Sequence, residues 1–273
     1  MGEILNSFKT ETMRNLIDET FSKNKEKLLN VYFTAGFPKL NDTGRILKTL
    51  DKCDVDFVEI GMPFSDPIAD GSTIQQSNQI SLGNGITIGK IFDQLDEVKG
   101  QYSVPVILMG YMNPVLQYGV EKFCERCQKV GVSGLIIPDL PMYDYLRQYK
   151  AIFESHGLYN IFLISPQTSE ERIRTIDENS NGFIYMVSSA NITGAKSEIS
   201  NEQEKYFNRI NEMGLTNPRL IGFGISSHET FEKACQYARG AIIGSAFIKM
   251  LQSAEELEPA IEKFISDIKT PES

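Results

Sequence analysis

The sequence predicts an α/β protein, a (β/α)8 barrel with an extra helix at its N-terminus, on three observations. Eight short apolar runs of strand length recur at fairly even intervals, and segments with helical period lie between them. The runs are nearly continuous in apolar residues, as strands of a parallel sheet buried on both faces must be. The length of 273 residues is what such a barrel uses as one domain. An open doubly wound sheet is the competing architecture. The evenness of the units and the lack of a G-x-G-x-x-G after the first run disfavour it. No linker, low-complexity tract or composition shift divides the chain, so residues 1–273 read as a single domain.

In order, Leu5 to Lys27 reads as a polar helix with Leu16, Ile17 and Phe21 along one side. The strand candidates are Leu29 to Thr34, Phe57 to Gly61, Val104 to Met109, Gly134 to Pro138, Asn160 to Ser165, Phe183 to Val187, Leu220 to Phe223 and Ala241 to Gly244. The helical patterns between them are Asp42 to Cys53, Ile88 to Lys99, Val120 to Val130, Tyr143 to Ser155, Glu170 to Glu178, Glu202 to Met213 and His228 to Tyr237, with a last helix from Ala254 to Lys269. The connection from Ser72 to Thr87 is long enough to hold a small extra helix. The polar connection from Ser188 to Glu202, which contains Gly194, has the length and composition of a lid.

Composition narrows the function. A net charge of -9 and a pI near 4.9, with no basic cluster, argue against nucleic acid as a partner. No apolar run reaches the length of a membrane helix, and the first residues lack the pattern of a signal peptide, so a cytoplasmic location is expected. Cys124-Glu125-Arg126-Cys127 has no second cysteine pair, and His156 and His228 are distant in sequence; no metal site is expected. The two cysteines fall in a helical pattern as small core residues.

The chemistry concentrates in residues 56–71. Glu59 stands inside an apolar strand run, where a buried carboxylate is costly unless it is paired or its pKa rises. Two prolines and two glycines then stiffen a loop that carries Ser65, Asp66 and Asp70. Barrel active sites lie at the C-terminal ends of the strands. If Val58 and Ile60 face the helices, Glu59 points into the barrel. The other strand ends supply Tyr32, Met109, Tyr111, Leu163, Tyr185, Val187, Phe223 and Ile242, flat apolar walls around two carboxylates. Strands seven and eight end in Gly222-Phe223-Gly224 and Gly244-Ser245-Ala246, the first followed by a helix and the second by a short helical turn. Glycine lets the backbone approach an anion, and a helix N-terminus supplies free N–H groups, so these loops suit a phosphate. No strand candidate contains a lysine, which disfavours a Schiff-base mechanism.

These residues resemble the tryptophan synthase alpha chain family. The run from Glu59 to Gly71 carries the likeness, joined by Phe33-Thr34-Ala35-Gly36, Tyr111-Met112-Asn113-Pro114, Pro138-Asp139-Leu140-Pro141, Thr193-Gly194-Ala195, Gly222 to Ser226 and Gly244-Ser245-Ala246. The resemblance implies aldol-type cleavage of indole-3-glycerol phosphate to indole and glyceraldehyde 3-phosphate in tryptophan biosynthesis. It implies Glu59 as acid/base and Asp70 as the carboxylate at indole N1–H, with Thr193 and Gly194 in the lid. It also implies an α2β2 complex with a pyridoxal-phosphate beta chain, no cofactor on this chain, and a partner surface including Asp66, Asn113 and Pro114. Ala190 and Asn191 in the lid, Ser72 after Gly71, and Tyr32 in the ring slot depart from the family pattern. The rival readings are a stand-alone indole-glycerol-phosphate lyase, a related barrel synthase with a catalytic strand lysine, and a non-catalytic binding paralogue.

Overall fold

Apolar runs that cannot satisfy their backbone groups alone do so here by pairing in parallel. The computed structural model describes residues 15–23, 25–68, 70–187, 200–222 and 224–271. Its strands are β1 (Leu28–Thr34), β2 (Phe57–Gly61), β3 (Val106–Met109), β4 (Val132–Ile136), β5 (Tyr159–Asn160), β6 (Leu163–Ile164), β7 (Ile184–Val187), β8 (Arg219–Gly222) and β9 (Gly240–Ile243). They form one sheet in the order β5-β4-β3-β2-β1-β9-β8-β7-β6. All seven residues of β1 are buried, as a strand covered on both faces requires.

The expected fifth strand, Asn160 to Ser165, is in fact two pieces, and they close the barrel. β5 pairs with β4 and β6 pairs with β7, so the two ends of the sheet are separated only by Ile161 and Phe162. Ile161 N donates to Leu135 O and Tyr185 N donates to Phe162 O, both at 2.9 Å. The chain thus changes hydrogen-bonding neighbour in mid-strand, which splits it. Buried Asn160, whose amide bonds to nothing within the protein, stands at the split.

The helices follow the expected pattern with four corrections. Leu16–Ser22 is the described part of the first helix, and it ends before Lys27, whose φ of 58° is left-handed. The segment expected as one helix from Tyr143 contains a wide π turn, Tyr145–Tyr149, between Met142–Asp144 and Lys150–Ser155. The extra residue re-phases the helix so that Tyr145 meets both Phe153 and Phe162, with ring centroids 6.1 and 5.1 Å apart. Two further helices, Met112–Tyr118 and Ser245–Ser253, lie where only a loop and a short turn were expected. The last helix begins at Leu257, after the extended Ala254 and Glu256. The extra helix after the second strand is present as Ser72–Gly83.

Two apolar clusters fill the molecule. The larger lies between sheet and helices and includes Val58 and Ile60. The smaller plugs the barrel: Leu28, Phe57, Ile107, Ile136, Ile161, Phe183, Leu220 and Ile242, with Ile17 of the first helix. Phe21 joins it from below, its ring 5.3 Å from Phe57 and 6.1 Å from Phe183. Burying a side chain such as Phe57 contributes about 2–3 kcal/mol. Phe57 faces inward while Val58 and Ile60 face the helices, so strand alternation points Glu59 into the barrel above the plug.

Candidate active site

The inward positions of β1 and β2 climb from apolar to polar within four residues. Leu28 belongs to the plug, Asn30 comes next, and Tyr32 lies at the rim; beside them run Phe57, Glu59 and Gly61. Glu59 has no exposed surface. Asn30 Nδ2 donates to Glu59 Oε1 at 2.5 Å, and Glu59 Oε2 has no partner among the described residues. Burial pushes the Glu59 carboxyl up to about 8, and the Asn30 hydrogen bond offsets part of that rise.

Asp70 reaches the same region from the loop after β2. Pro67 O accepts from Asp70 N at 3.1 Å, and Gln75 Nε2 donates to Asp70 O at 2.9 Å, which fixes the loop on the first turn of Ser72–Gly83. Burial raises the Asp70 carboxyl to about 6, while hydrogen bonds from Tyr111 and Asn78 act the other way. The Asn78 bond is long, 3.5 Å from Nδ2 to Oδ2. Neutral pH lies between the two, so Glu59 is the group that keeps its proton and Asp70 the one that is ionised. The site therefore holds one acid and one anion, and among the described residues no cation is supplied to either.

Asp70 lines a small cavity with Tyr32, Met62, Asn78, Met109, Gly110, Tyr111 and Pro138. Glu59 lies deeper and touches none of its open surface. Tyr32 and Tyr185 roof the barrel: a Cβ on Gly61 would overlap the Tyr32 hydroxyl, and one on Gly222 would overlap the Tyr185 ring. Burial, first of all, raises both phenols, and the charges of Glu59 and Asp70 add to that, so both tyrosines stay neutral. Tyr32 Oη lies 3.5 Å from Thr34 Oγ1, which is 2.7 Å from Ser77 Oγ. Met109, Leu163 and Tyr185 pack on the plug, and Ile242 is part of it; together they make the floor. Val187 is half-buried at the end of β7.

Of the two glycine loops, the second keeps more free donors. Gly244 precedes Ser245–Ser253, and exposed Ser245 opens that helix, whose first-turn N–H groups have no intrahelical acceptor. In the first loop Gly224 has φ +57°, a conformation that favours glycine. The N–H groups of Ser226 and Ser227 are taken by Thr230 Oγ1, both at 3.1 Å. Thr193, Gly194, Phe223 and the lid departures Ala190 and Asn191 lie outside the described residues.

The expected partner residues come together on the rim. Phe64 packs on Tyr111, ring centroids 5.2 Å apart, which brings the loop holding Asp66 against the helix holding Asn113 and Pro114. Asp66 and Asn113 are exposed and Pro114 is half-buried. Ser65 Oγ donates to Asp66 Oδ2 at 2.6 Å. Ile68, two residues further along the loop, is 91% exposed, the largest such value for an apolar side chain among the described residues.

Three site residues escaped the sequence reading. Asn30 carried the same signal as Glu59, a polar residue inside an apolar strand run. Asn78 and Met62 carried none; both are placed by tertiary packing. Cys124 and Cys127 are buried thiols, and no group of His, Cys, Asp and Glu suited to a metal occurs among the described residues.

With this geometry in place, likeness to known proteins is informative. The sequence model of the family described as Tryptophan synthase alpha chain matches residues 19–271. A tryptophan synthase alpha chain of Flavobacterium psychrophilum is 56% identical over 254 residues, covering 93% of this chain and 99% of that protein. One of Parabacteroides distasonis is 51% identical over 255 residues, covering 93% and 99%. Among solved structures, a tryptophan synthase alpha chain from Legionella pneumophila subsp. pneumophila superposes with a TM-score of 0.84 at 31% identity, over 94% of this chain and 96% of that one. Tryptophan synthase from M. tuberculosis, in an aminoacrylate-bound form, gives 0.82 at 27% identity, over 94% and 98%.

Proposed function

The chain belongs to the tryptophan synthase alpha chain family, and from that premise we propose that Glu59 and Asp70 perform its reaction. That reaction is the cleavage of indole-3-glycerol phosphate to indole and glyceraldehyde 3-phosphate. The observation that supports the assignment is a fully buried Glu59 held by Asn30 beneath a half-buried Asp70 that lines the cavity, with burial raising the first to about 8 and the second to about 6.

Indole leaves only after its C3 has been protonated. Protonated Glu59 gives its proton to C3, and the ring becomes a cationic indolenine. Ionised Asp70 accepts a hydrogen bond from N1–H and stabilises that charge. The bond from C3 to the side chain then breaks, its electron pair returns to the ring, and the hydroxyl proton passes to the Glu59 carboxylate. Glu59 is restored as an acid, and no net proton or electron is consumed.

The ring slot comprises Tyr32, Met109, Tyr111, Leu163, Tyr185, Val187, Phe223 and Ile242. Gly224, Gly244 and Ser245 receive the phosphate through backbone donors and the helix dipole, and Thr193 and Gly194 close over it. No cofactor is needed on this chain. Pyridoxal phosphate belongs to the beta chain, which docks on Asp66, Asn113 and Pro114 in an α2β2 assembly and receives the indole. No described helix is long and apolar enough to cross a membrane, and the proposed location is cytoplasmic. The direct test is free indole released from indole-3-glycerol phosphate by the purified chain, alone and with a beta chain. Loss of release in both Glu59→Gln and Asp70→Asn supports the assignment, and near-normal release from either removes it.

A further inference from the structure

A polar side chain inside the apolar plug of a barrel needs a reason. Asn30 has no exposed surface. Its strand neighbours across β2 and β9 are Phe57 and Ile242, both members of the plug. Leucine would fill such a position without the cost of burying an amide. The amide is only half satisfied among the described residues: Nδ2 donates to Glu59 Oε1 at 2.5 Å, and Oδ1 has no partner. No part of the proposed chemistry has yet used Asn30.

We propose that Asn30 is a positioning residue that assigns the two oxygens of Glu59 different tasks, Oε1 to the protein and Oε2 to the substrate. An N–H donor requires a lone pair facing it, so a proton on Glu59 cannot lie between Nδ2 and Oε1. It resides on Oε2, the oxygen with no partner among the described residues, where it is free for transfer to a ring carbon. When the proton leaves, the same N–H stabilises the carboxylate on Oε1, so the acid does not become too weak to act. Among the described residues, the titratable groups that interact with Glu59 are Tyr32 from β1 and Tyr185 from β7, and Asp70, from the loop after β2, acts on the same two phenols. Among the described residues Asn30 alone donates a side-chain hydrogen bond to Glu59, while the Tyr32 hydroxyl lies beside Thr34 Oγ1 and Asp70 is an anion with no proton to give. The opposite amide orientation, Oδ1 toward Oε1, would hold the proton against Asn30 and away from substrate.

This inference rests on the assignment of Glu59 as acid, and the test separates the two. Asn30→Leu is matched to the apolar surroundings, and its folding is checked by melting temperature. Without the donor the carboxylate loses stabilisation, so the alkaline limb of kcat/KM should move up by about one pH unit, the scale of one hydrogen bond to a charged group. Turnover at pH 7 should fall about tenfold as the acid loses its orientation. In wild type, the side-chain amide of Asn30 followed by 15N NMR should titrate with the same midpoint as that limb, and in Glu59→Gln it should not titrate. A purely structural Asn30 would lower the melting temperature of Asn30→Leu and leave the limb in place. An unmoved limb in folded Asn30→Leu, or an Asn30 amide that ignores pH in wild type, overturns the proposal even if Asn30→Leu cannot be folded. Normal turnover in Glu59→Gln would instead remove the catalytic reading beneath it.

Discussion

The two ends of the barrel interior are built from the same strand positions and obey opposite rules. At the bottom, Leu28 and Phe57 join a plug whose buried members all carry hydrocarbon side chains. Two residues further on, Asn30 and Glu59 occupy the equivalent inward positions, and Glu59 Oε2 and Asn30 Oδ1 are left unpaired. The bottom gains hydrophobic stabilisation from each side chain. The top spends part of that gain to hold a carboxyl group where its proton is retained past neutrality. A strand therefore changes role from support to chemistry over one pleat, and the boundary between Phe57 and Glu59 marks it.

The largest effects should be mirror images across that boundary. Phe57→Ala should destabilise the fold by about 3–5 kcal/mol, measured by denaturant unfolding, with kcat of the remaining folded protein nearly unchanged. Glu59→Gln should lower turnover by at least ~10²-fold, the scale of a positioned acid, without loss of stability. Its melting temperature should even exceed that of wild type, and increasingly so as pH rises. Folded Glu59 keeps its proton up to about pH 8, whereas in the unfolded chain it is lost near the ordinary 4.5. The stability this group contributes is full below pH 4.5 and is lost as pH climbs toward 8. A melting-temperature gap that stays constant from pH 5 to pH 8 would contradict the burial argument.

Smaller effects are expected away from the boundary. Gly224→Val places a β-branched side chain at φ +57° and should raise KM for the phosphate substrate about tenfold with a lesser change in kcat. An unchanged KM would move the anion site wholly to the Gly244 loop. Asp66→Ala should reduce the stimulation by a beta chain a few-fold, the scale of one partly exposed polar contact, in a titration of indole release against added partner. Full stimulation at an unaltered midpoint would remove Asp66 from the docking surface.

The top of the barrel was more legible in the sequence than the machinery supporting it, for physical reasons. Glu59 stood out because an apolar strand run makes a carboxylate conspicuous, and Asp70 because prolines and glycines make its loop rigid. Asn30 obeyed the same logic but is a neutral amide in a run of strand composition, so its cost showed only once its burial was known. Asn78 reaches the site by the placement of its helix, and Met62 by the turn of the loop after β2, where its N–H donates to Met109 O at 2.7 Å; no local pattern encodes either. The eight strand positions could be read because two-faced burial writes itself as continuous apolar residues. The division of the fifth strand could not, since a change of hydrogen-bonding neighbour at Ile161 and Phe162 leaves the run apolar throughout. The π turn at Tyr145–Tyr149 is likewise a response to rings elsewhere in the core.

The central claim is that one carboxyl in this site is an acid while the other is an anion. The pH profile of kcat/KM for indole-3-glycerol phosphate cleavage tests it most directly. Asp70 must be ionised, so the rate should rise through about pH 6, and Glu59 must be protonated, so it should fall through about pH 8. The acid limb should disappear from the residual activity of Asp70→Asn while the alkaline limb remains. A profile flat from pH 5 to pH 9, or an acid limb that persists unchanged in Asp70→Asn, would contradict the account.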